Sequence, residues 1–94
     1  MASPGIFLNP RFHAGLNRLT DAEMERVEAA LRVIPDSFGR PHAHSGISIR
    51  RLRKNVFECR AGLKLRLLFR ENKGCLEFFL VGDHDEVQAW LRNF

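Results

Sequence analysis

The sequence predicts an α+β domain. An N-terminal strand and a helical hairpin pack on a four- to five-stranded twisted antiparallel sheet, and a short C-terminal helix closes the chain. Three observations carry this reading. Residues 20–34 place Met24, Val27, Leu31 and Ile34 on one helical stripe. Residues 56–69, VFECRAGLKLRLLF, read as two strands about a tight turn at Ala61-Gly62. Residues 75–81, CLEFFLV, form a nearly continuous apolar strand, suited to the middle of a sheet covered on both sides.

Taken in order, Ile6 to Leu8 is a short apolar run that suits a strand at the sheet edge. Asn9-Pro10 then suits a helix start, with asparagine as cap and proline at the first helical position. Phe12, Leu16 and Leu19 share a helical face, which Gly15 weakens. Thr20 and Glu23 have capping-box spacing for the second helix, Thr20 to Ile34, and Pro35 is expected to end it. Its polar side carries Glu25, Arg26, Glu28 and Arg32. Residues 35–46, PDSFGRPHAHSG, are rich in turn formers and read as a loop.

The strands follow. Ile47 to Leu52 alternates loosely, and Asn55 marks a turn. Val56 to Arg60 and Leu63 to Arg70 make the central hairpin, and Asn72-Lys73-Gly74 turns the chain again. Gly82 breaks the last strand. Asp83 with Glu86 then caps a helix whose apolar stripe is Val87, Trp90, Leu91 and Phe94. The 94 residues make one domain, 1–94, with room for one core.

Composition narrows the function. No apolar run approaches the roughly 20 residues of a membrane span, and the N-terminus lacks a basic region followed by a long apolar stretch. A cytoplasmic protein is expected. Cys59 and Cys75 do not make a disulfide framework and read as two reduced core thiols. Residues 47–70 hold eight Lys/Arg against Glu58 alone, a balance of +7, while the rest holds seven against ten acids, a balance of −3. On the second strand of the central hairpin, Lys64, Arg66 and Arg70 alternate with residues suited to a core. A basic face of this kind attracts phosphate backbones or an acidic protein. His42 and His44 lie one residue apart in the loop, but nothing near them in sequence completes a metal site. No metal or other cofactor is expected.

Several stretches resemble the RelE/ParE superfamily of bacterial toxins from type II toxin–antitoxin systems. Leu65-Arg66-Leu67-Leu68-Phe69 is similar to the family strand in which an arginine sits among apolar residues. Val81-Gly82-Asp83-His84-Asp85-Glu86-Val87 resembles the segment after the last strand in many members, and Ile49 to Leu52 fits the strand that opens the sheet. The likeness runs from Phe7 onward. It implies a toxin neutralised by a cognate antitoxin with an acidic surface or segment. RelE-like members cut messenger RNA, usually on the ribosome; ParE-like members poison DNA gyrase by binding. The fold does not choose between them, nor against an inactive interaction domain.

Metal-independent RNA cleavage needs a base for the ribose 2′-OH, a cation for the phosphate and an acid for the departing 5′-oxygen. Arg66 matches the family's strand arginine, and its fork of donors suits a phosphate. His84 lies where RelE carries a catalytic arginine and is expected as the acid. Glu58, the one carboxylate of the basic block, is expected as the base, brought to Arg66 by pairing across the hairpin. The same residues also fit a plain ion pair and a capped helix start. Arg60, Lys64 and Arg70 are expected on flanking phosphates, and Arg50, Arg51, Arg53 and Lys54 on ribosomal RNA or antitoxin. Two departures stand out. RelE's two lysines on the preceding strand correspond to Val56 and Glu58. The tyrosine near its end has no counterpart here, where the region offers Gln88 or Trp90. RelE's own set of catalytic residues is therefore absent.

Overall fold

The computed structural model describes residues 4–39 and 48–93. The order is β1 (Gly5–Leu8), α1 (Pro10–Leu16), α2 (Asp21–Ser37), β2 (Arg50–Arg53), β3 (Val56–Ala61), β4 (Leu65–Asn72), β5 (Cys75–Gly82) and α3 (His84–Asn93). His42 and His44, and with them the weighed metal pair, lie outside the described residues.

The five strands form one sheet in the order β1-β5-β4-β3-β2. β2 to β5 are antiparallel, as consecutive hairpins require, whereas β1 runs parallel to β5. The mixed sheet corrects the expected wholly antiparallel one. Hairpin chemistry sets the direction only of strands joined by tight turns, and β1 is separated from its partner by the rest of the domain.

Local chemistry explains the helix starts. The Asn9 side chain accepts from the Phe12 N–H at 3.0 Å, and Pro10 occupies the first turn. Thr20 and Glu23 form both bonds of a capping box, at 3.1 and 2.9 Å. Asp83 and Glu86 repeat the device on α3, at 2.9 and 3.2 Å. α2 runs through Pro35 to Ser37 rather than ending before it. The proline lacks an N–H, but this close to the terminus little of the ladder depends on it. The turn is closed by the Phe38 N–H on the Ile34 carbonyl at 2.9 Å and the Ser37 hydroxyl on the Val33 carbonyl at 2.8 Å.

Both faces of the sheet are covered in part. α1 lies against β5 and α2 against β3. Between them and the sheet, Phe12, Val27 and Ile34 meet Cys59, Leu67, Phe69, Leu76 and Phe78 in the main core. On the other face Leu68, Phe79 and Val87 form a second cluster, with Leu80, Trp90 and Leu91 packed around it. A register shift in β4–β5 explains how β5 serves both. Leu68 pairs with Leu80 and Phe69 with Phe78, so Phe79 has no partner. The extra residue lets Phe78 and Val81, three apart, both enter the main core.

The central hairpin turn is longer than expected. Ala61 pairs with Leu65, and Gly62-Leu63-Lys64 make the turn with Gly62 at φ +83°. Leu63 and Lys64 therefore leave β4, and Leu63 is 95% exposed. Gly15 does different work. A Cβ there would come within 2.6 Å of Val81 Cγ1, so only glycine lets α1 approach β5 this closely.

Candidate functional site

The site is built on the face of β2, β3 and β4 opposite α2. Strand alternation places Val56, Glu58 and Arg60 together on β3, and Arg66, Leu68 and Arg70 together on β4. The register makes Arg60 the direct partner of Arg66 and Arg50 the direct partner of Glu58. Glu58 thus stands diagonally from Arg66, within reach of it.

The side chains use that placement. Arg66 Nη1 donates to Glu58 Oε1 at 2.9 Å, and Arg50 Nη2 lies 3.6 Å from the same oxygen. Glu58 is buried, with 4% of its surface exposed, and Arg66 keeps 18% of its side chain in solvent. The expected meeting of Glu58 and Arg66 is thus observed. Arg50, expected on ribosomal RNA or antitoxin, stands beside them. Nothing in the sequence reveals its register, because the β2–β3 ladder slips between Arg51 and Arg53. Two guanidinium groups around one carboxylate leave a net positive centre, with Arg60 adding an exposed cation beside Arg66.

Other cations are placed differently. Arg70 lays its guanidinium 4.2 Å from the centre of the Phe79 ring, and its Nε is buried without a partner among the described residues. Arg53 sits 5.7 Å from the centre of the Trp90 ring and donates to the Leu91 carbonyl, tying β2 to α3. Arg51 folds back onto the carbonyls of Arg53 and Lys54, at 3.3 and 3.5 Å. Lys54 is exposed in the β2–β3 turn. Lys64 does not share the Arg66 face. It lies in the turn beyond β4 and lines a hollow with Thr20 and Glu23. The longer turn is the reason.

His84 is exposed and opens α3. Gly82, two residues earlier, is the strand partner of Arg66, which brings the start of α3 to the Arg66 end of β4. The His84 side chain makes no hydrogen bond or ion pair with another described residue. Beside Glu58 in sequence, Cys59 points the other way into the main core. Burial pushes its thiol well above the usual range, and the Glu58 charge adds to this, which makes it a poor nucleophile. Among the described residues no group of three His, Cys, Asp or Glu is placed to hold a metal, and no helix is long and apolar enough to cross a membrane.

No protein-family model and no curated protein matches the chain in sequence. Solved structures do match in shape. A chain of the archaeal RelE–RelB complex from Pyrococcus horikoshii OT3 superposes with a TM-score of 0.70 at 11% identity, over 87% of this chain and 96% of that one. A chain of the RelB–RelE antitoxin–toxin complex from Methanococcus jannaschii gives 0.70 at 13%, over 89% and 96%. YafQ from E. coli strain BL21(DE3) gives 0.68 at 13%, over 89% and 97%. Agreement over nearly the whole of both chains leaves little of the architecture unmatched, and the chain has the RelE-like fold.

Proposed function

We propose that this chain is the toxin of a toxin–antitoxin pair, a ribonuclease that cuts messenger RNA on the ribosome and is held in check by an acidic antitoxin. The observation that carries the reading is the Glu58–Arg66 pair, set with Arg50 and Arg60 on the open basic face of a RelE-like fold. The structural neighbours add support: two are named as RelE–RelB complexes, one of them as antitoxin and toxin. Messenger RNA and ribosomes place the action in the cytoplasm.

The roles follow from charge and access. Arg66 turns from Glu58 onto the scissile phosphate, where its paired donors meet the charge that grows as the 2′-oxygen attacks. That movement, with Arg50 drawn onto a neighbouring phosphate, frees Glu58 Oε1, which takes the 2′-OH proton. His84 gives a proton to the departing 5′-oxygen. The products are a 2′,3′-cyclic phosphate and a free 5′-hydroxyl, so each proton and bond is accounted for. DNA lacks the 2′-OH and is not cut. Arg60 and Arg50 hold neighbouring phosphates, with Arg70, Arg51, Arg53, Lys54 and Lys64 adding to the field that draws RNA in.

Primer extension on message from a reconstituted translation reaction tests this. Cuts that require ribosomes and vanish with Arg66→Ala and His84→Ala are the expected result. Intact message with normal protein output would overturn it, and inhibition of gyrase supercoiling by the same sample would move the chain to the binding toxins.

A further inference from the structure

The molecule has a second candidate surface, away from the Arg66 face. A cavity of about 480 Å³ opens between the start of α2 and the β3–β4 turn. Thr20, Glu23 and Arg26 form one wall, and Gly62, Leu63 and Lys64 the other, over a floor that includes Ala61 and Leu65. Glu23, Lys64 and Leu65 also line a second hollow of about 290 Å³, so the two make one groove, which runs on to Asp83 and Glu86.

Three features of this groove ask for an occupant. Leu63 is 95% exposed at its lip, the most exposed large apolar side chain among the described residues. Arg26 lies flat against Gly62; a Cβ there would come within 2.6 Å of Arg26 Cδ, so the missing side chain is what seats the arginine. Neither Arg26 nor Lys64 forms an ion pair with another described residue, although carboxylates stand close by in the same groove. Glu23 is already engaged by the Thr20 N–H, and Glu86 by Arg18 at 3.3 Å and the Asp83 N–H.

Charge decides what fits. Toward Asp83 the groove holds Glu23, Asp83 and Glu86 against Arg18 and Lys64, and Asp21 and Glu23 fill the first turn of α2, so a polyanion running along it meets an excess of carboxylates there. One carboxylate placed between Arg26 and Lys64, next to an apolar group on Leu63, meets two cations against Glu23 alone, which the Thr20 N–H already engages. We infer that this groove docks an extended peptide segment of a partner protein, anchored by an aliphatic side chain against Leu63 and by a carboxylate between Arg26 and Lys64. It is a protein-binding surface separate from the Arg66 face, and it does not rest on the ribonuclease reading.

A phage-displayed library of random dodecapeptides, panned on the full chain, tests this. Enriched peptides pair an aliphatic residue with a carboxylate. Resynthesised with fluorescein, they bind at least about tenfold more weakly to Lys64→Glu and to Leu63→Ser, the scale of loss of an interface anchor, and equally well to Arg66→Lys. Both test positions are exposed, so circular dichroism melts unchanged from the parent keep the comparison free of unfolding. The inference is overturned by a library that yields no acidic–apolar motif, or by peptides indifferent to both variants. It is also overturned if a ten-nucleotide RNA displaces the peptides and loses affinity in both variants alike, which makes the groove an RNA surface.

Discussion

Arg66 reaches diagonally across the β3–β4 hairpin to Glu58, Nη1 to Oε1 at 2.9 Å, and the carboxylate it meets is almost wholly out of water. A pair this dry is costly to break from one side, because the charge left behind has lost its partner and has little solvent to replace it. Arg66→Ala is expected to destabilise the fold by about 3 kcal/mol, tempered by the remaining Arg50 contact at 3.6 Å. Replacing both residues with apolar ones, Glu58→Leu with Arg66→Met, is expected to return most of that loss. Urea melts of the two singles and the double measure it. A double variant as unstable as the sum of the singles would show that the pair is not coupled.

The same pair separates two ways of using Glu58. If its carboxylate only aims Arg66, Glu58→Gln keeps a hydrogen-bond acceptor in place and costs little activity. The proposed proton transfer needs the carboxylate itself. Glu58→Gln is therefore expected to cut RNA at least about 100-fold more slowly, within the usual range for a lost general base. Binding of uncut RNA is expected to stay within about threefold, since one negative charge has been removed from a positive face. Single-turnover cleavage with ribosomes and filter binding without turnover read the two effects apart.

How much of this was visible in the sequence depends on which force set each feature. The caps at Asn9, Thr20 and Asp83 depend on neighbours within three residues, and all three were legible. The Glu58–Arg66 meeting was legible too, because strand alternation and one hairpin sufficed to predict it. The parallel seating of β1 was not, since its partner β5 lies about seventy residues away and no local signal reports it. The place of Arg50 beside Glu58 was not legible either, because a slip in the β2–β3 ladder sets its register. Lys64 was placed on the wrong surface because Gly62 at φ +83° makes a three-residue turn, where a tighter one was read at Ala61-Gly62. Arg53 over Trp90 follows from α3 folding back over the sheet, a long-range contact, and Arg70 over Phe79 from the extra residue in the β4–β5 ladder.

Gly15 offers a test of the packing that holds α1 on the sheet. In an ordinary exposed helix, Gly→Ala adds stability by restricting the unfolded chain. Here the new methyl would sit 2.6 Å from Val81 Cγ1, with the Val81 carbonyl at 3.5 Å behind it. Val81 is 2% exposed and packed in the main core, so it has little room to yield. Gly15→Ala is expected to destabilise by about 1–3 kcal/mol, as overpacking does. Gly15→Ala combined with Val81→Ala is expected to recover part of the loss that each single shows. Thermal melts that show Gly15→Ala as stable as the parent would mean that α1 shifts on β5 without cost.

Cys59 gives the fold a dependence on alkaline pH. Its thiol is fully buried beside Glu58, and burial, with the neighbouring negative charge, pushes its pKa far above the ordinary 9.0. The unfolded chain releases this proton near 9.0, while the folded chain keeps it. Above that pH the native state holds more protons than the unfolded one, so stability falls as pH rises. The contribution is complete below pH 9 and declines with a slope approaching about 1.4 kcal/mol per pH unit above it. Cys59→Val removes the titrating group and keeps an apolar side chain in the core. Urea unfolding at pH 7.5 and pH 10.5 is expected to show the parent losing about 2 kcal/mol more than Cys59→Val over that interval. Equal losses in the two proteins would mean that the thiol ionises in the folded state as readily as in the unfolded one.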